Sequence, residues 1–315
     1  MLILGVESTA HTFGIGIVTS EGTIRANVKD SYTSADAGMI PDKVAEHHQQ
    51  VAEKVLQQAL ETAHCSWNEI SFIAYSAGPG LDPALWTGYK IVQHWSRFYG
   101  KPLLGVNHCA AHLSIGKVWN HLTDPIYLYV SGVNTQVITQ EGGKYLVLGE
   151  TLDIGLGNML DKFARVLEVG FPGGPRIEEL ARKGKYIELP YVVKGLDVSF
   201  SGILTKITQL LQNNIPAEDL CFSVQETCFA MLAEVAERAL AHTGKQELLL
   251  VGGVAANQRL RAMLTLMCQG RGTRFYTVPM DLATDNGAMI AWEGFLRKEQ
   301  YGDMGVQPHW RVDKV

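Results

Sequence analysis

The chain has few charged residues, and no long hydrophobic run interrupts it. Charged residues make up 19% of its 315 residues, below the roughly 25% of an average soluble domain, whereas hydrophobic residues make up 46%. This composition favours one or two well-buried globular domains and argues against disorder. No stretch of about 18 apolar residues occurs, so we expect no membrane-spanning helix. The opening residues lack a basic region and reach Glu7 quickly, so we expect no secretory signal.

Cysteine is also scarce, and the five cysteines show no CxxC spacing. An odd number of scattered cysteines argues against a disulfide framework and favours a reducing compartment. We therefore predict a cytoplasmic protein, which would also be nuclear if its source is a eukaryote. The cysteines are Cys65, Cys109, Cys221, Cys228 and Cys268.

The net charge of -5 argues against a protein that grips nucleic acid alone, because phosphate neutralisation supplies most of the affinity in such proteins. Two local basic clusters nevertheless occur, and each by itself is typical of a solvated helix face. A nucleic-acid substrate would therefore require help from partner subunits. The first cluster contains Arg176, Arg182, Lys183 and Lys185, and the second contains Arg259, Arg261, Arg271 and Arg274.

Strand-like and helix-like segments alternate along the chain, which favours an α/β fold with parallel strands. A strand, a small polar turn and a second strand open the sequence, and the same pattern returns near residue 126. This repetition indicates an internal duplication. We predict two duplicated α/β lobes, residues 1–125 and 126–315, with a helical insert around 157–243 in the second.

Three small or hydroxyl-rich turns directly follow apolar strands, and such turns allow backbone amides to approach a phosphate. Any one of them is more often an ordinary tight turn, but together they favour a nucleotide held by duplicated lobes. The chain contains neither a Walker A sequence nor GxGxxG, which excludes the common phosphate loops. The turns are residues 7–9, 131–135 and 252–257.

His108 and His112 are four residues apart, so on a helix they share one face and could bind one metal ion. Cys109 occupies the place of the general-base glutamate of HExxH, which disfavours a zinc peptidase. Asp285 could supply a carboxylate ligand, although Thr284 or Asp285 could equally be a helix N-cap. The phenol of Tyr129 is a further candidate ligand, and packing within a strand is its alternative role.

Several longer strings resemble the universal tRNA threonylcarbamoyladenosine-synthesis family, the catalytic subunit of the KEOPS complex, in its archaeal and eukaryotic form. The similarity extends over nearly the whole chain. The strings that carry it are GVNHCAAH (105–112), YVSGVNTQ (129–136), LDIGLGN (152–158), DKFAR (161–165), KGLDVSFSGI (194–203), VGGVAAN (251–257) and TDNGAMIA (284–291).

The resemblance implies an actin/hexokinase/Hsp70-like fold of two duplicated ribonuclease-H-like lobes. It implies transfer of a threonylcarbamoyl group from threonylcarbamoyl-AMP to the N6 amine of the adenosine 3′ of the anticodon, in tRNAs that read codons starting with A. It also implies as partners a kinase-like ATPase subunit and a small dimerising subunit. The implied ligands of one divalent metal ion, iron or zinc, are His108, His112, Tyr129 and Asp285. The implied residues that bind threonylcarbamoyl-AMP, ATP or ADP are Tyr129, Val130, Ser131, Gly132, Val133, Asp161, Gly174, Glu178 and Asn257.

The family usually reads Ser-Gly-Gly-Asn-Thr where this chain has Val133 in place of the second glycine. Valine would resist a positive φ or a close approach of an anion, so the loop could hold its ligand differently. Val133 is the only support for one alternative, a non-catalytic nucleotide-binding scaffold. Two further alternatives are enzymes of the same superfamily, a related O-carbamoyltransferase and a sugar kinase. The residues 7–9 differ from the Asp-x-Gly-Thr-like first loop of a kinase, and the long strings disfavour a carbamoyltransferase.

Overall fold

The computed structural model describes residues 1–34, 39–300 and 302–315. In the first part of the chain, five strands form one sheet in the order β3-β2-β1-β4-β5. The strands are β1 (Leu2–Glu7), β2 (Thr12–Thr19), β3 (Ile24–Ser31), β4 (Ile70–Gly78) and β5 (Leu103–Asn107), and the helices are α1 (Pro41–Ala63), α2 (Asp82–Tyr99) and α3 (His108–Trp119).

The second part of the chain contains another five-stranded sheet, in the order β12-β11-β6-β7-β8, and a short two-stranded hairpin, β9-β10. Its strands are β6 (Ile126–Val130), β7 (Thr135–Glu141), β8 (Lys144–Glu150), β9 (Val193–Lys194), β10 (Asp197–Val198), β11 (Glu247–Val251) and β12 (Arg274–Thr277). Its helices are α4 (Leu156–Val166), α5 (Gly173–Ala181), α6 (Ser201–Gln212), α7 (Ala217–Thr243) and α8 (Gln258–Arg271), and the chain then continues into α9 (Met280–Ala283) and α10 (Gly287–Arg297).

The two large sheets have the same topology, which confirms the predicted α/β class and duplication. In each sheet the first strand pairs antiparallel with the second, and the second pairs antiparallel with the third. On its other side the first strand pairs parallel with the fourth, which pairs parallel with the fifth. Strands β1 and β6 therefore occupy equivalent positions, and so do β4 and β11.

The chain forms two compact units, and one of them is discontinuous. The first contains Met1–Thr33, Met39–Trp119 and Pro279–Val315, and the second contains Asn120–Val278 together with Ser34. The segment that carries α10 therefore packs with the first unit. The predicted division into residues 1–125 and 126–315 follows chain order and does not describe this packing, so it stays a prediction about domains.

Glycines in β1 and β2 allow α10 to lie against the first sheet at backbone distance. A Cβ at Gly16 would lie 2.1 Å from the amide nitrogen of Ala288, and one at Gly5 would lie 2.2 Å from that of Ala291. Only hydrogen fits at these positions, so the sequence GVE…GIGI dictates where α10 begins. Asp285 lies immediately before this fixed helix start, which ties its position to the sheet.

Candidate functional site

The candidate metal centre lies within the first unit, where β5 leads directly into α3. Helix α3 begins at His108, and His108 and His112 lie on one face of it, as predicted. Asn107, the last residue of β5, accepts a hydrogen bond from the Ala110 amide through Oδ1 at 3.0 Å and donates to the Trp310 carbonyl at 2.9 Å. These bonds fix the start of the helix that carries both histidines.

His108, His112 and Asp285 meet at one point. A ligand atom from each lies within 4.8 Å of the others. The Asp285 Oδ1 atom is 3.3 Å from Nε2 of His112 and 3.6 Å from Nε2 of His108. Two imidazoles and one carboxylate suit a divalent transition-metal ion, so the donor set fits the metal that the family resemblance implies.

Asp285 is not a helix N-cap, so that alternative was wrong. The next residue, Asn286, caps α10, because its Oδ1 accepts a hydrogen bond from the Met289 amide at 3.0 Å. The Asp285 carboxylate is thereby left to the two histidines. Lys29 of β3 donates to the Thr284 hydroxyl at 2.6 Å and to the Asp285 carbonyl at 3.4 Å, which further fixes this turn.

Glu7, at the end of β1, is a functional candidate that the sequence did not reveal. Its carboxylate is fully buried, and Oε2 lies 2.9 Å from Nδ1 of His108. Its other oxygen accepts a hydrogen bond from the Thr9 amide at 2.7 Å, so this amide is not directed at a phosphate. Histidines that bind a metal through one ring nitrogen usually donate the N–H of the other to a carboxylate. Because Glu7 occupies Nδ1, Nε2 of His108 is the nitrogen that can face a metal ion.

The carboxylates decide the charge of this centre. Burial opposes protonation of His108, but Glu7 and Asp285 outweigh it and raise the pKa of His108 to about 9. Burial also opposes ionisation of Asp285, yet the two histidines hold its pKa well below the usual value. Burial lowers the pKa of His112. The centre thus already stabilises one positive charge, and a divalent cation would replace a proton there.

The residues that the resemblance assigns to nucleotide binding lie in the second unit, as does Tyr129. Tyr129 and Val130 end β6 and are fully buried, and β6 pairs in parallel with β11. The turns after these two strands therefore leave the same edge of the sheet, where α/β sheets bind ligands. The role of Tyr129 as a metal ligand stays a prediction.

The turn after β6 is held by the first residues of α4. The Gly157 amide donates to the Ser131 carbonyl at 3.1 Å, and the Asn158 amide donates to the Gly132 carbonyl at 2.8 Å. Gly155 lies so close that a Cβ there would be 2.2 Å from the Val133 carbonyl oxygen. The Ser131 and Gly132 carbonyls are therefore already bound to the start of α4 and are not available to a ligand.

Val133 is 66% exposed and creates no backbone strain. Among the described residues, the non-glycines with positive φ are His64, His121, Glu168 and Asn214, and Val133 is not among them. A glycine is therefore not required here for backbone conformation. The remaining consequence of valine is the space that its side chain takes next to the turn.

Two of the other nucleotide candidates accept hydrogen bonds from backbone amides of neighbouring elements. Asp161 of α4 accepts a bond from the Gly173 amide at 2.8 Å, which fixes the start of α5 beside Gly174. Glu178 of α5 accepts a bond from the Gln258 amide at 2.9 Å through Oε1. The structure therefore brings α4, α5 and the start of α8 together within this unit.

Asn257 links the turn after β11 to α8 and α7. It caps α8 through Oδ1, which accepts bonds from the Arg259 and Leu260 amides, and its Nδ2 donates to Gln225 at 2.7 Å. Gln225 is buried on α7 and had no sequence signal, because one glutamine on a long amphipathic helix is unremarkable in pattern. Gly252 has φ +93° at this turn, and a Cβ there would lie 2.5 Å from the Val130 carbonyl oxygen.

The family model and the relatives that match this chain carry related names. The family model TsaD, described as tRNA N6-adenosine threonylcarbamoyltransferase, matches residues 23–292. A protein of that name from Thermococcus kodakarensis is 53% identical, over 100% of this chain and 98% of the relative. A "Probable bifunctional tRNA threonylcarbamoyladenosine biosynthesis protein" from Methanocaldococcus jannaschii is 48% identical, over 100% of this chain and 60% of the longer relative.

Solved structures of lower identity share the fold. HypF from T. kodakarensis superposes with a TM-score of 0.64 at 15% identity, over 95% of this chain and 48% of HypF. The (R)-2-hydroxyglutaryl-CoA dehydratase component A from Acidaminococcus fermentans gives a TM-score of 0.57 at 15% identity, over 95% of this chain and 100% of that one. These likenesses support the predicted actin/hexokinase/Hsp70-like architecture.

Proposed function

The chain belongs to the tRNA N6-adenosine threonylcarbamoyltransferase family, and we propose from this membership that it transfers a threonylcarbamoyl group to the N6 amine of an adenosine in tRNA. The donor is threonylcarbamoyl-AMP, and the acceptor is the adenosine 3′ of the anticodon in tRNAs that read codons starting with A. The observation that carries this proposal is 53% identity over the full length, and the close approach of His108, His112 and Asp285 supports it.

The reaction requires positioning and charge stabilisation more than a side-chain nucleophile. The amine nitrogen forms a bond to the carbamoyl carbon, the bond from that carbon to the adenylate oxygen breaks, and AMP leaves as the amine gives up a proton. Because the leaving group is already good, most of the barrier can be lowered by holding the amine against the carbonyl.

We assign nucleotide binding to the turn at residues 131–133, to Asp161, Gly174 and Glu178, and to Asn257, with Tyr129 and Val130 at the end of β6. Glu178 uses Oε1 to hold the Gln258 amide, which leaves Oε2 to accept a bond from a ribose hydroxyl. No neighbour lies within 4 Å of a Cβ placed on Gly174, so this glycine provides open space beside the acidic residues.

We assign metal binding to His108, His112 and Asp285, with Tyr129 as the fourth ligand that the resemblance implies. When bound, a divalent ion supplies Lewis-acid polarisation of a carbonyl oxygen. Glu7 orients His108 through Nδ1, and Asn107 and Asn286 fix the two helix starts that carry the ligands. These contacts hold the ligand set in one geometry before the substrate arrives.

The proposed partners are a kinase-like ATPase subunit and a small dimerising subunit of KEOPS, and the proposed location is the cytoplasm. Support for additional components comes from the acidic net charge of -5 and from relatives named bifunctional, of which this chain matches only 60%. Within the described residues, no helix combines the length and hydropathy that crossing a membrane requires.

A reconstituted transfer assay tests the function. It combines the chain and its partners with threonylcarbamoyl-AMP and an unmodified tRNA, and modified adenosine is measured by mass spectrometry of the digested RNA. We expect product with the wild type and with His242→Ala, an exposed histidine on α7, and none with Asp285→Asn, whose folding is checked by circular dichroism. Absence of product from the wild type, despite nucleotide binding, would favour a non-catalytic scaffold.

A further inference from the structure

The basic residues of the second unit fall into two groups that the sequence does not distinguish. From Arg238 to Arg274, all six Lys and Arg side chains bind acidic side chains or backbone carbonyls. The partners are Glu234 for Arg238, Asp124 for Lys245, Glu226 for Arg259, the Ala255 carbonyl for Arg261, Glu237 for Arg271 and Glu247 for Arg274. In the second basic cluster of the sequence, carboxylates therefore neutralise Arg259, Arg271 and Arg274, and backbone carbonyls hold Arg261.

Most of the basic residues between 157 and 216, in contrast, form no ion pair within the described part of the chain. Seven of the eight Lys and Arg residues between 157 and 216 are exposed and take part in no ion pair within the described part of the chain. This segment carries eight basic and six acidic residues, in a chain whose net charge is -5. The seven are Lys162, Arg165, Arg182, Lys183, Lys185, Lys194 and Lys206; the eighth, Arg176, pairs with Glu179 at 3.6 Å.

Three carboxylates in or next to this segment accept hydrogen bonds from backbone amides. Asp161 accepts the Gly173 amide and Glu178 accepts the Gln258 amide, at 2.8 and 2.9 Å. Asp219 accepts the Lys185 amide at 2.7 Å, although the Lys185 ammonium group is not bound to it. These carboxylates hold the fold together, and the exposed cations remain available to an external anion.

Helices α4 and α5 present these cations from their solvent faces. Lys162 and Arg165 are three residues apart on the exposed side of α4, whereas Phe163 and Ala164 are buried. The segment after α5 is held in place because the Ile187 amide donates to the Ser223 hydroxyl at 2.8 Å. Next to Lys185, the ring of Tyr186 is 56% exposed, and an exposed aromatic ring among cations suits an unpaired base.

We propose that the exposed cations of α4 and of the segment after α5 bind the phosphate backbone of the tRNA. This proposal rests on the proposed function. The same two helices carry Asp161 and Glu178, which we assign to the adenylate, and Lys162 directly follows Asp161 in sequence. Because the amine of the RNA must reach the carbonyl joined to that adenylate, the adjoining RNA backbone passes close to these helices.

The test compares two triple variants of equal charge change in the full chain. Lys162→Gln/Arg165→Gln/Lys183→Gln removes cations of the proposed surface. Lys90→Gln/Arg97→Gln/Lys144→Gln removes three exposed cations elsewhere, which also take part in no ion pair among the described residues. Binding of a fluorescently labelled, unmodified tRNA is measured by anisotropy at several salt concentrations, and binding of ATP is measured in parallel.

We expect the first variant to bind tRNA at least about tenfold more weakly at low salt, with a salt slope smaller by about 2 to 3, because each of the three lost phosphate contacts removes about 0.7 to 0.9 of a unit of slope. The control variant should keep the tRNA affinity and the salt slope within about twofold of the wild type. All three proteins should bind ATP equally. Equal weakening in both variants, or no weakening in either, would overturn the proposed surface. If the wild-type chain alone does not bind tRNA, the same titration is repeated with the partner subunits present, and failure to bind there would instead overturn the proposed function.

Discussion

The charge state of individual side chains governs the candidate metal centre. His108 lies between two carboxylates, with Glu7 on Nδ1 and Asp285 facing Nε2. Because Glu7 is fully buried, its negative charge depends on the imidazole for compensation. The histidine therefore serves both the metal centre and the stability of β1, so replacing His108 itself would confound the two. Replacing its partner is the more informative experiment.

We expect Glu7→Gln to weaken binding of a divalent ion such as Zn²⁺ by about 10- to 100-fold, the usual cost of losing an outer carboxylate. The amide has nearly the same shape but cannot accept as strongly from Nδ1. Competition with a chromophoric chelator measures the affinity, and Glu21→Gln, at an exposed position, is the control. Unchanged affinity in Glu7→Gln would mean that the 2.9 Å contact does not orient His108.

His48 gives a prediction about pH. It is fully buried on α1, its ring centroid lies 5.4 Å from that of Phe13, and His11 and His47 are its ionisable neighbours. Burial lowers the pKa of His48 to about 4, and His47 makes a smaller contribution in the same direction. The unfolded chain, with a pKa near 6.5, therefore takes up a proton as the pH falls below about 6.5, whereas the folded chain does not.

The free energy of unfolding should consequently decrease as the pH falls from 6.5 to 4, with His48 contributing up to about 3 kcal/mol of that decrease. Urea titrations across this range should show a shallower pH dependence for His48→Leu than for the wild type. His242→Leu, an exposed histidine, should leave the pH dependence unchanged. Parallel curves for His48→Leu and the wild type would show that His48 titrates normally in the fold.

Replacing Val133 tests whether nucleotide binding needs the glycine that the family usually has at this position. Because Val133 has no positive φ and is largely exposed, Val133→Gly should change ATP affinity by less than about threefold. It should lower the free energy of unfolding by about 0.5–1 kcal/mol, since glycine loses more backbone entropy on folding. Isothermal titration and urea unfolding check both numbers. A tenfold gain in affinity would show that the valine side chain obstructs the ligand.

At the scale of elements, close backbone contact determines where α10 lies. Glycine at positions 14 and 16 of β2 brings Gly287 and Ala288 within reach of the sheet, and Asn27 of β3 adds a bond to the Ala288 amide at 3.3 Å. Since Asp285 lies two residues before α10, its position depends on these contacts more than on its own turn. A change in β2 should therefore affect both folding and metal binding.

Gly16→Ala should destabilise the chain by about 3 kcal/mol or more, because the new methyl group would lie 2.1 Å from the Ala288 nitrogen and the helix would have to move. It should also weaken metal binding. Gly202→Ala is the matched control, since no atom lies within 4 Å of its Cβ and alanine favours a helix. Thermal unfolding and metal titration measure both effects, and stability equal to the wild type in Gly16→Ala would contradict the contact.

Helices and strands with clear periodicity were predictable, whereas their partners were not. The strand, polar turn and strand that open the sequence are β1 and β2, and the pattern that returns near residue 126 is β6 and β7. The hairpin β9-β10 within the helical insert was missed, because two-residue strands leave no periodic pattern. Glu7 and Gln225 were missed for a related reason: a single polar residue acquires its role only from a neighbour distant in sequence.

At the scale of the whole molecule, the two compact units are not consecutive segments of the chain. The second unit is nearly continuous, but the first needs Pro279–Val315 to complete it. Within the first unit, the last residues also join the sheet, since the Gln307 amide donates to the Ala77 carbonyl at 2.7 Å. Val312 is buried near the end of the chain. A cut at residue 125 therefore leaves one side of the first sheet without its helix.

We accordingly expect fragment 120–278 to fold alone and fragment 1–125 to remain unfolded. Without α10, fragment 1–125 would expose the apolar face around Gly5, Gly16 and Ala74, against which Gly287, Ala288 and Gly294 pack. Circular dichroism and urea unfolding of both fragments check this, and adding a peptide of residues 279–315 should restore structure to fragment 1–125. If fragment 1–125 unfolds cooperatively by itself, the division at residue 125 describes the domains, and α10 is an accessory element rather than part of the first core.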